Sequence, residues 1–148
     1  MYLLDTNHCS RAILKDAQVL NHLRAIDNNI VATSVITQGE LIDMAERSQR
    51  RKSNLMLVQD FLRGIDIYEI DRKIATKYGE IKASIFKQFA PKEKSKRRKT
   101  KMVDLGFGEN DLWIAAVALE HNLIVVSSDK DFQRIKQVEK GLTVESWV

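Results

Sequence analysis

Two acidic residues directly follow apolar runs whose length and composition are typical of buried strands. Asp5 comes after the run at residues 2–4, and Asp129 follows the run at residues 123–126 after two serines. In an open parallel sheet, ligands collect outside the carboxyl ends of the strands, where the strand order reverses. We therefore expect both aspartates to face one crevice.

Two further acids lie beside the apolar faces of predicted helices. Asp111 is near the start of a helix predicted over residues 110–121, and the apolar residues at i+3, i+4 and i+7 share its side of that helix. Glu40 lies one turn after Ile36 and one turn before Met44 in a helix predicted from Val35 to Arg47. Both carboxylates are therefore expected at the edge of the core, and four acids converge.

Such a cluster predicts a site for a hard divalent cation. At an effective dielectric constant near 20, two like charges about 4 Å apart cost roughly 4 kcal/mol, so the carboxylates need a cation between them. The single cysteine, Cys9, excludes an internal disulfide and a thiolate-rich zinc site, and is interpreted as a small buried residue. The three histidines share no ligand spacing and are assigned surface or capping roles: His8, His22 and His121. Oxygen ligands alone favour Mg²⁺ or Mn²⁺.

Each acid also has a purely structural interpretation. Asp5 and Asp129 are suited to cap helices, and Asp111 in a first helical turn complements the helix dipole. Glu40, three residues after Thr37, could close a capping box. Two acids near the predicted site are interpreted as surface or supporting residues rather than ligands: Asp43 and Asp131.

Two other kinds of chemistry have less support. Acyl transfer needs a serine or threonine partnered by a histidine, and Thr6, Ser10 and Ser34 have no such partner in the sequence pattern. Phosphoryl transfer to an aspartate after the first strand, as in haloacid dehalogenase-like enzymes, needs a second aspartate two residues later. Asn7 stands there. The two tryptophans, Trp113 and Trp147, are interpreted as packing residues.

The elements that position these residues alternate between strand and helix. Strands are predicted at residues 2–4, 30–33, 65–70, 123–126 and 142–144. Helices are predicted at residues 9–14, 17–26, 35–47, 53–62, 71–89, 110–121 and 130–137. This alternation predicts an α/β fold, a three-layer sandwich with a central parallel β-sheet flanked by helices. The 148 residues, of which 44% are hydrophobic, form one domain.

The positive charge is concentrated in one segment. Residues 92–101 contain seven basic residues and one acid, so they carry 7 − 1 = +6, and the rest of the chain carries 4 − 6 = −2. This segment belongs to a connection at residues 91–107 that is expected to be an insertion loop, either solvated or in contact with a partner. The sequence has no apolar run of the roughly 18 residues that a membrane span requires, so a cytoplasmic protein is expected.

Five segments, in order, resemble bacterial PIN-domain proteins of the VapC toxin type: LLDTNHCS, ATSVITQGEL, GENDLWIAAVAL, VVSSDKDF and GLTVESW. The resemblance spans nearly the whole chain. It implies that Asp5, Glu40, Asp111 and Asp129 bind one or two Mg²⁺ or Mn²⁺ ions and are catalytic. It implies supporting roles for four polar residues: Thr6, Asn7, Ser34 and Ser127, the last in place of a more usual threonine.

The resemblance also implies an activity and partners. A metal-dependent endoribonuclease would hydrolyse RNA phosphodiesters with a metal-activated water, as the toxin of a pair with a small antitoxin protein, and would form a homodimer. The basic segment departs from the family pattern, since many relatives have a short loop there; its functional interpretation is that it contacts RNA or the antitoxin through residues that include Lys96, Arg97, Arg98 and Lys99. The alternative is a catalytically weak module of the same fold that binds RNA or protein. The choice between a tRNA and a messenger RNA as substrate stays open.

Overall fold

The computed structural model describes residues 1–27 and 30–148. The strands within these ranges are β1 (Tyr2–Leu4), β2 (Val31–Ser34), β3 (Asp66–Tyr68), β4 (Ile124–Val126) and β5 (Thr143–Glu145). The helices are α1 (Thr6–Ile13), α2 (Ala17–Ala25), α3 (Val35–Glu46), α4 (Arg51–Arg63), α5 (Arg72–Phe89), α6 (Lys94–Lys99), α7 (Glu109–His121) and α8 (Lys130–Val138). No helix in the two described ranges is both long and apolar enough to cross a bilayer.

The five strands form one sheet in the order β3-β2-β1-β4-β5, and all neighbouring strands are parallel. The chain first builds outward from β1 through β2 to β3, and then returns to the other side of β1 for β4 and β5. The strand order therefore reverses between β1 and β4, where Leu4 pairs with Val126. This crevice is where an open parallel sheet binds ligands.

Helices cover both faces of the sheet, which confirms the predicted three-layer sandwich. Because side chains alternate along a strand, Leu3 packs into one core and Leu4 into the other. The core on the Leu3 side includes Ile81 of α5 and Ile114 of α7. The core on the Leu4 side includes Val58 of α4.

Polar side chains at the amino ends explain where several helices begin. Such a side chain accepts a backbone N–H from the first turn, which otherwise lacks a partner. Five helices start in this way, after Asp5, Asp16, Ser34, Asp71 and Asp129. The bounds of the predicted elements lie within two residues of the observed ones, except that α1 begins three residues earlier than predicted, because Asp5 caps it. Helix α5 ends at Phe89, two residues before Pro91.

The basic segment differs from the predicted loop because it contains the short helix α6. Lysine and arginine have good helix propensity, but a helix as short as α6 is marginal without tertiary contacts. Arg97 supplies some support, since its guanidinium lies 5.0 Å from the ring centroid of Phe86 on α5 and donates to the carbonyl of Pro91 at 3.3 Å. Lys96 pairs with Glu93 at 3.6 Å. The segment is thus held against α5.

Candidate active site

A cleft of about 790 Å³ opens at the carboxyl ends of β1 and β4. All four acids singled out in the sequence line it: Asp5, Glu40, Asp111 and Asp129. They come from the end of β1, the middle of α3, the start of α7 and the cap of α8. The fold therefore brings residues more than a hundred positions apart in the chain to one crevice.

Asp5 is almost completely buried, with 4% of its surface exposed. Its backbone N–H continues the sheet by donating to the carbonyl of Val126 at 3.1 Å. Its Oδ1 accepts the backbone N–H of His8 at 2.7 Å and lies 3.0 Å from Nδ1 of the His8 ring. The surface role predicted for His8 is wrong, because α1 starts directly after β1 and turns this side chain into the core behind Asp5, where it is 0% exposed.

Glu40 has a hydrogen-bond partner on each carboxylate oxygen. Oε2 accepts the hydroxyl of Thr6, and Oε1 accepts the side-chain amide of Asn110 at 2.8 Å. The capping-box interpretation is wrong, because the hydroxyl of Ser34 caps α3 by accepting the N–H of Thr37 at 3.3 Å. Glu40 instead connects α3 to α1 and α7. Asn110 was not among the predicted site residues, although it directly precedes Asp111.

Three carboxylates near the start of α7 and α8 form a group that could hold a metal ion. Asp111, Asp129 and Asp131 each offer an oxygen, and these atoms lie within 4.8 Å of one another. Asp129 caps α8 by accepting the N–H of Asp131 at 2.9 Å, and its own N–H donates to the hydroxyl of Ser127 at 3.0 Å. Asp131 was not among the metal ligands predicted from the sequence. Its position two residues after the cap was the available signal.

The loop before α7 is attached to α8, and this fixes where α7 begins. Arg134 donates to the carbonyls of Gly106 at 3.1 Å and Leu105 at 2.7 Å. Gly106 has a φ of +76°, and a Cβ there would lie 3.2 Å from the Arg134 guanidinium. The N–H of Gly108 then donates to Oδ2 of Asp131 at 3.1 Å. These contacts position Asp111 beside the acids of α8.

Burial raises the pKa of Asp111 to about 7, and the negative charges of its acidic neighbours add to the effect. Those neighbours are Asp129, Asp131, Glu40 and Asp5, in decreasing order of influence. The cleft therefore tolerates a further negative charge poorly without a cation. Among the described residues that line it, the charged donors are all carboxylates and none is histidine or cysteine. This donor set fits a hard divalent cation better than zinc.

The predicted supporting residues occupy different positions. Thr6 and Asn7 line the cleft, and Thr6 contacts Glu40. Ser34 and Ser127 are buried at the carboxyl ends of β2 and β4, where each accepts a backbone N–H. Their effect on a bound metal stays a prediction.

The basic residues of α6 lie outside the cleft. A second groove of about 680 Å³ is lined by Lys82, Phe86, Lys101 and Glu109, among others. Glu109 turns to Lys82 on α5, whereas its neighbour Asn110 turns to Glu40 in the cleft. Of the basic segment at residues 92–101, Lys101 lines this second groove.

The residues interpreted as packing residues are buried or stacked. Cys9 is fully buried, and this burial raises the pKa of its thiol to about 12. Trp113 stacks on Tyr78 with ring centroids 3.7 Å apart, and Trp147 is 3% exposed. These observations confirm the packing assignments.

Comparison with known proteins gives consistent matches along the chain. The family model described as "PIN domain" matches residues 2–138. The "Ribonuclease VapC2" of Haemophilus influenzae is 33% identical to this chain over 99% of it and 98% of the relative. The "tRNA(fMet)-specific endonuclease VapC" of Shigella flexneri is 29% identical over 99% of this chain and 97% of the relative. A crystal structure of DNA-bound VapBC from Salmonella typhimurium superimposes with a TM-score of 0.81, at 27% identity and over 99% and 98% of the two chains.

Proposed function

This chain belongs to the PIN domain family, and from that membership we propose that it is a metal-dependent endoribonuclease, the toxin of a toxin–antitoxin pair. The observation that carries the proposal is the group of three aspartate oxygens within 4.8 Å of one another, two of them from residues that line the acidic cleft. Mg²⁺ or Mn²⁺ is the cofactor, since the donors are all carboxylate oxygens.

The catalytic and metal-binding residues are Asp5, Glu40, Asp111 and Asp129, with Asp131 beside the last two. When bound, a divalent cation lowers the pKa of a coordinated water and offsets the negative charge that develops on the scissile phosphate. Thr6 and Asn110 orient the Glu40 carboxylate through their hydrogen bonds. Ser127 holds the backbone at Asp129, so that its side chain keeps a fixed direction.

RNA is the substrate, with initiator tRNA as the first RNA to test. Two relatives that align over the full length of this chain are named for RNA cleavage, one of them for tRNA(fMet). The charge distribution fits a polyanion, because residues 92–101 carry a net charge of +6 and Lys101 of this segment lines a second groove on the protein surface. Arg98 and Lys99 are exposed on α6 and would contact phosphates flanking the cleaved bond.

An antitoxin segment binds the apolar groove between α1, α3 and α4. Its lining includes Leu14, Leu41, Met44 and Leu57, and Leu14 is 75% exposed. Met44 lines both this groove and the acidic cleft, so the two are continuous. A segment with apolar residues for the groove and a basic residue for the cleft would cover both. The structural neighbour described as VapBC supports such a partner.

A cleavage assay on the purified full chain tests the nuclease assignment. We expect cleavage of bulk tRNA with Mg²⁺ or Mn²⁺ and none with excess chelator. Asp5→Asn should abolish cleavage and leave the fold intact, because the amide oxygen can still accept the His8 N–H while one anionic oxygen is lost. Asp60→Asn is the matched control, since Asp60 is exposed on α4 and pairs with the exposed Arg63. It should cleave at the wild-type rate.

Two results would contradict the proposal. Cleavage that persists in chelator would exclude the metal-dependent mechanism. Full activity of Asp5→Asn would exclude the assigned site. RNA binding without cleavage under every metal condition would instead favour the binding-module alternative.

A further inference from the structure

A chain of buried contacts leads from the carboxyl terminus to the back of the acidic cleft. The backbone N–H of Trp147 points to Nε2 of His8 at 3.4 Å, and Nδ1 of the same ring lies 3.0 Å from Oδ1 of Asp5. His8 is 0% exposed and does not line the cleft. The His8 ring thus connects Trp147 to Asp5 on the side of Asp5 that faces away from the cleft.

The two contacts of the His8 ring specify its tautomer. A backbone N–H can only donate, so Nε2 must be the acceptor and carries no proton. The proton of the neutral ring is then on Nδ1, where it donates to the Asp5 carboxylate. The other tautomer would place two donors face to face at Nε2 and two lone pairs face to face at Nδ1.

Packing holds Trp147 in the position that this arrangement requires. Its indole ring stacks on His22 with centroids 5.4 Å apart and 4° between the planes, and it contacts Tyr2 edge-on at 5.3 Å. Its Nε1 donates to Glu145 at 2.7 Å. The backbone N–H that faces His8 is therefore fixed by three side-chain neighbours.

Both hydrogen bonds to Asp5 fall on the same carboxylate oxygen. Oδ1 accepts the backbone N–H and the ring N–H of His8, whereas Oδ2 carries no hydrogen bond within residues 1–27 and 30–148. The backbone bond alone would suffice to cap α1. The second bond adds a donor on a second line, which fixes the plane of the carboxylate and hence the direction of its other oxygen.

We propose that His8 is a positioning residue that holds Oδ1 of Asp5 so that Oδ2 is presented to a divalent cation, and that Trp147 sets the His8 tautomer. The inference rests on the proposed metal-dependent function. It adds that the last residues of the chain contribute to the metal site without touching it.

Two substitutions at one position separate the hydrogen bond from packing. His8→Asn retains an N–H donor near the position of Nδ1, whereas His8→Phe retains a ring but has no donor. We expect His8→Phe to raise the dissociation constant for Mn²⁺ by about 10- to 100-fold, as is usual when a hydrogen bond to a metal ligand is lost. His8→Asn should recover most of that affinity. In tRNA cleavage, kcat should follow the metal affinity while KM for RNA stays unchanged.

Calorimetric titration of the full chain with Mn²⁺ measures the affinities, and thermal denaturation in chelator measures stability. His22→Phe is the matched control, because it keeps a ring against Trp147 and lies away from Asp5, so its Mn²⁺ affinity should equal that of the wild type. If His8→Phe lowers stability but binds Mn²⁺ like the wild type, His8 is only a packing residue and the proposal is wrong. If the wild type itself binds no Mn²⁺, the proposed function fails as well.

Nitrogen-15 NMR of the metal-free wild type tests the tautomer without any variant. The His8 ring should show a protonated Nδ1 and an unprotonated Nε2. A protonated Nε2 would overturn the proposal even if His8→Phe does not fold.

Discussion

Replacing Asp111 by asparagine should stabilise the metal-free protein while it destroys the site. The pKa of Asp111 is about 7, well above the ordinary value of 3.8, because of burial and then the charges of the neighbouring acids. The folded state therefore binds this proton more tightly than the unfolded chain does. The stability that this bound proton contributes is fully present below about pH 4 and is lost as the pH rises to about 7.

The size of the effect follows from the shift in pKa. Each unit corresponds to about 1.4 kcal/mol, so three units give at most about 4 kcal/mol. Asp111 is only half-buried, and water near the carboxylate reduces this to about 2 kcal/mol. In a chain of this length, about 2 kcal/mol corresponds to a rise in Tm of about 4 to 8 °C. Asparagine is uncharged, so the variant gains nearly this full amount above pH 7, roughly a third of it at pH 5 and almost nothing below pH 4.

Thermal denaturation in excess chelator at pH 5, 6, 7 and 8 measures this dependence. The difference in Tm between Asp111→Asn and the wild type should grow steadily across the series. Added Mg²⁺ should then stabilise the wild type at pH 8 and leave the variant unchanged, because binding to the folded state alone raises its stability. Asp60→Asn should change Tm little at any pH, since an exposed ion pair contributes at most about 1 kcal/mol. An equal gain at pH 5 and pH 8, or no gain at pH 8, would refute the electrostatic explanation.

Two further predictions concern surfaces outside the acidic cleft. Replacing Arg98 and Lys99 together by alanine should reduce the slope of log K against log salt for tRNA binding by about 1.5, since each phosphate contact contributes about 0.7 to 0.9; an unchanged slope would dismiss α6 as an RNA contact. The matched control removes two exposed basic residues elsewhere, Lys136 and Lys140. Leu57→Asp should abolish inhibition of the nuclease by a co-expressed antitoxin and leave tRNA cleavage intact. Met56 is exposed on the same helix outside the apolar groove, so the antitoxin should still inhibit the Met56→Asp variant. Equal inhibition of both variants would exclude that groove as the antitoxin site.

Local patterns were sufficient to predict most of the elements because many of them carry their own start and stop signals. Helix α5 begins after a capping aspartate at residue 71 and ends two residues before the single proline. Strands β1 and β4 are short apolar runs followed by polar residues, so their carboxyl ends could be placed to within a residue. The parallel order then follows from the alternation of strands and helices.

The contacts between distant elements could not be predicted in this way. Asp131 joins the acidic group because the loop at Gly108 is held against α8 by Arg134, and the sequence contains no sign of that contact. His8 is buried because the carboxyl-terminal segment, 139 positions away, packs over it. Helix α6 was missed because its apolar contact is made by a charged residue, through Arg97 on Phe86.

The sequence left open whether Asp5 and Asp129 cap helices or bind a metal ion. The structure makes the two roles compatible. Each uses Oδ1 to cap a helix, and each leaves Oδ2 without a hydrogen bond among the described residues. Capping therefore uses one carboxylate oxygen and orients the other, which stays available as a ligand. It also aims the positive ends of α1 and α8 at the cleft, and this offsets part of the repulsion that remains when no cation is bound. The same hydrogen bonds that begin two helices thus make a crowded acidic cleft compatible with a stable fold.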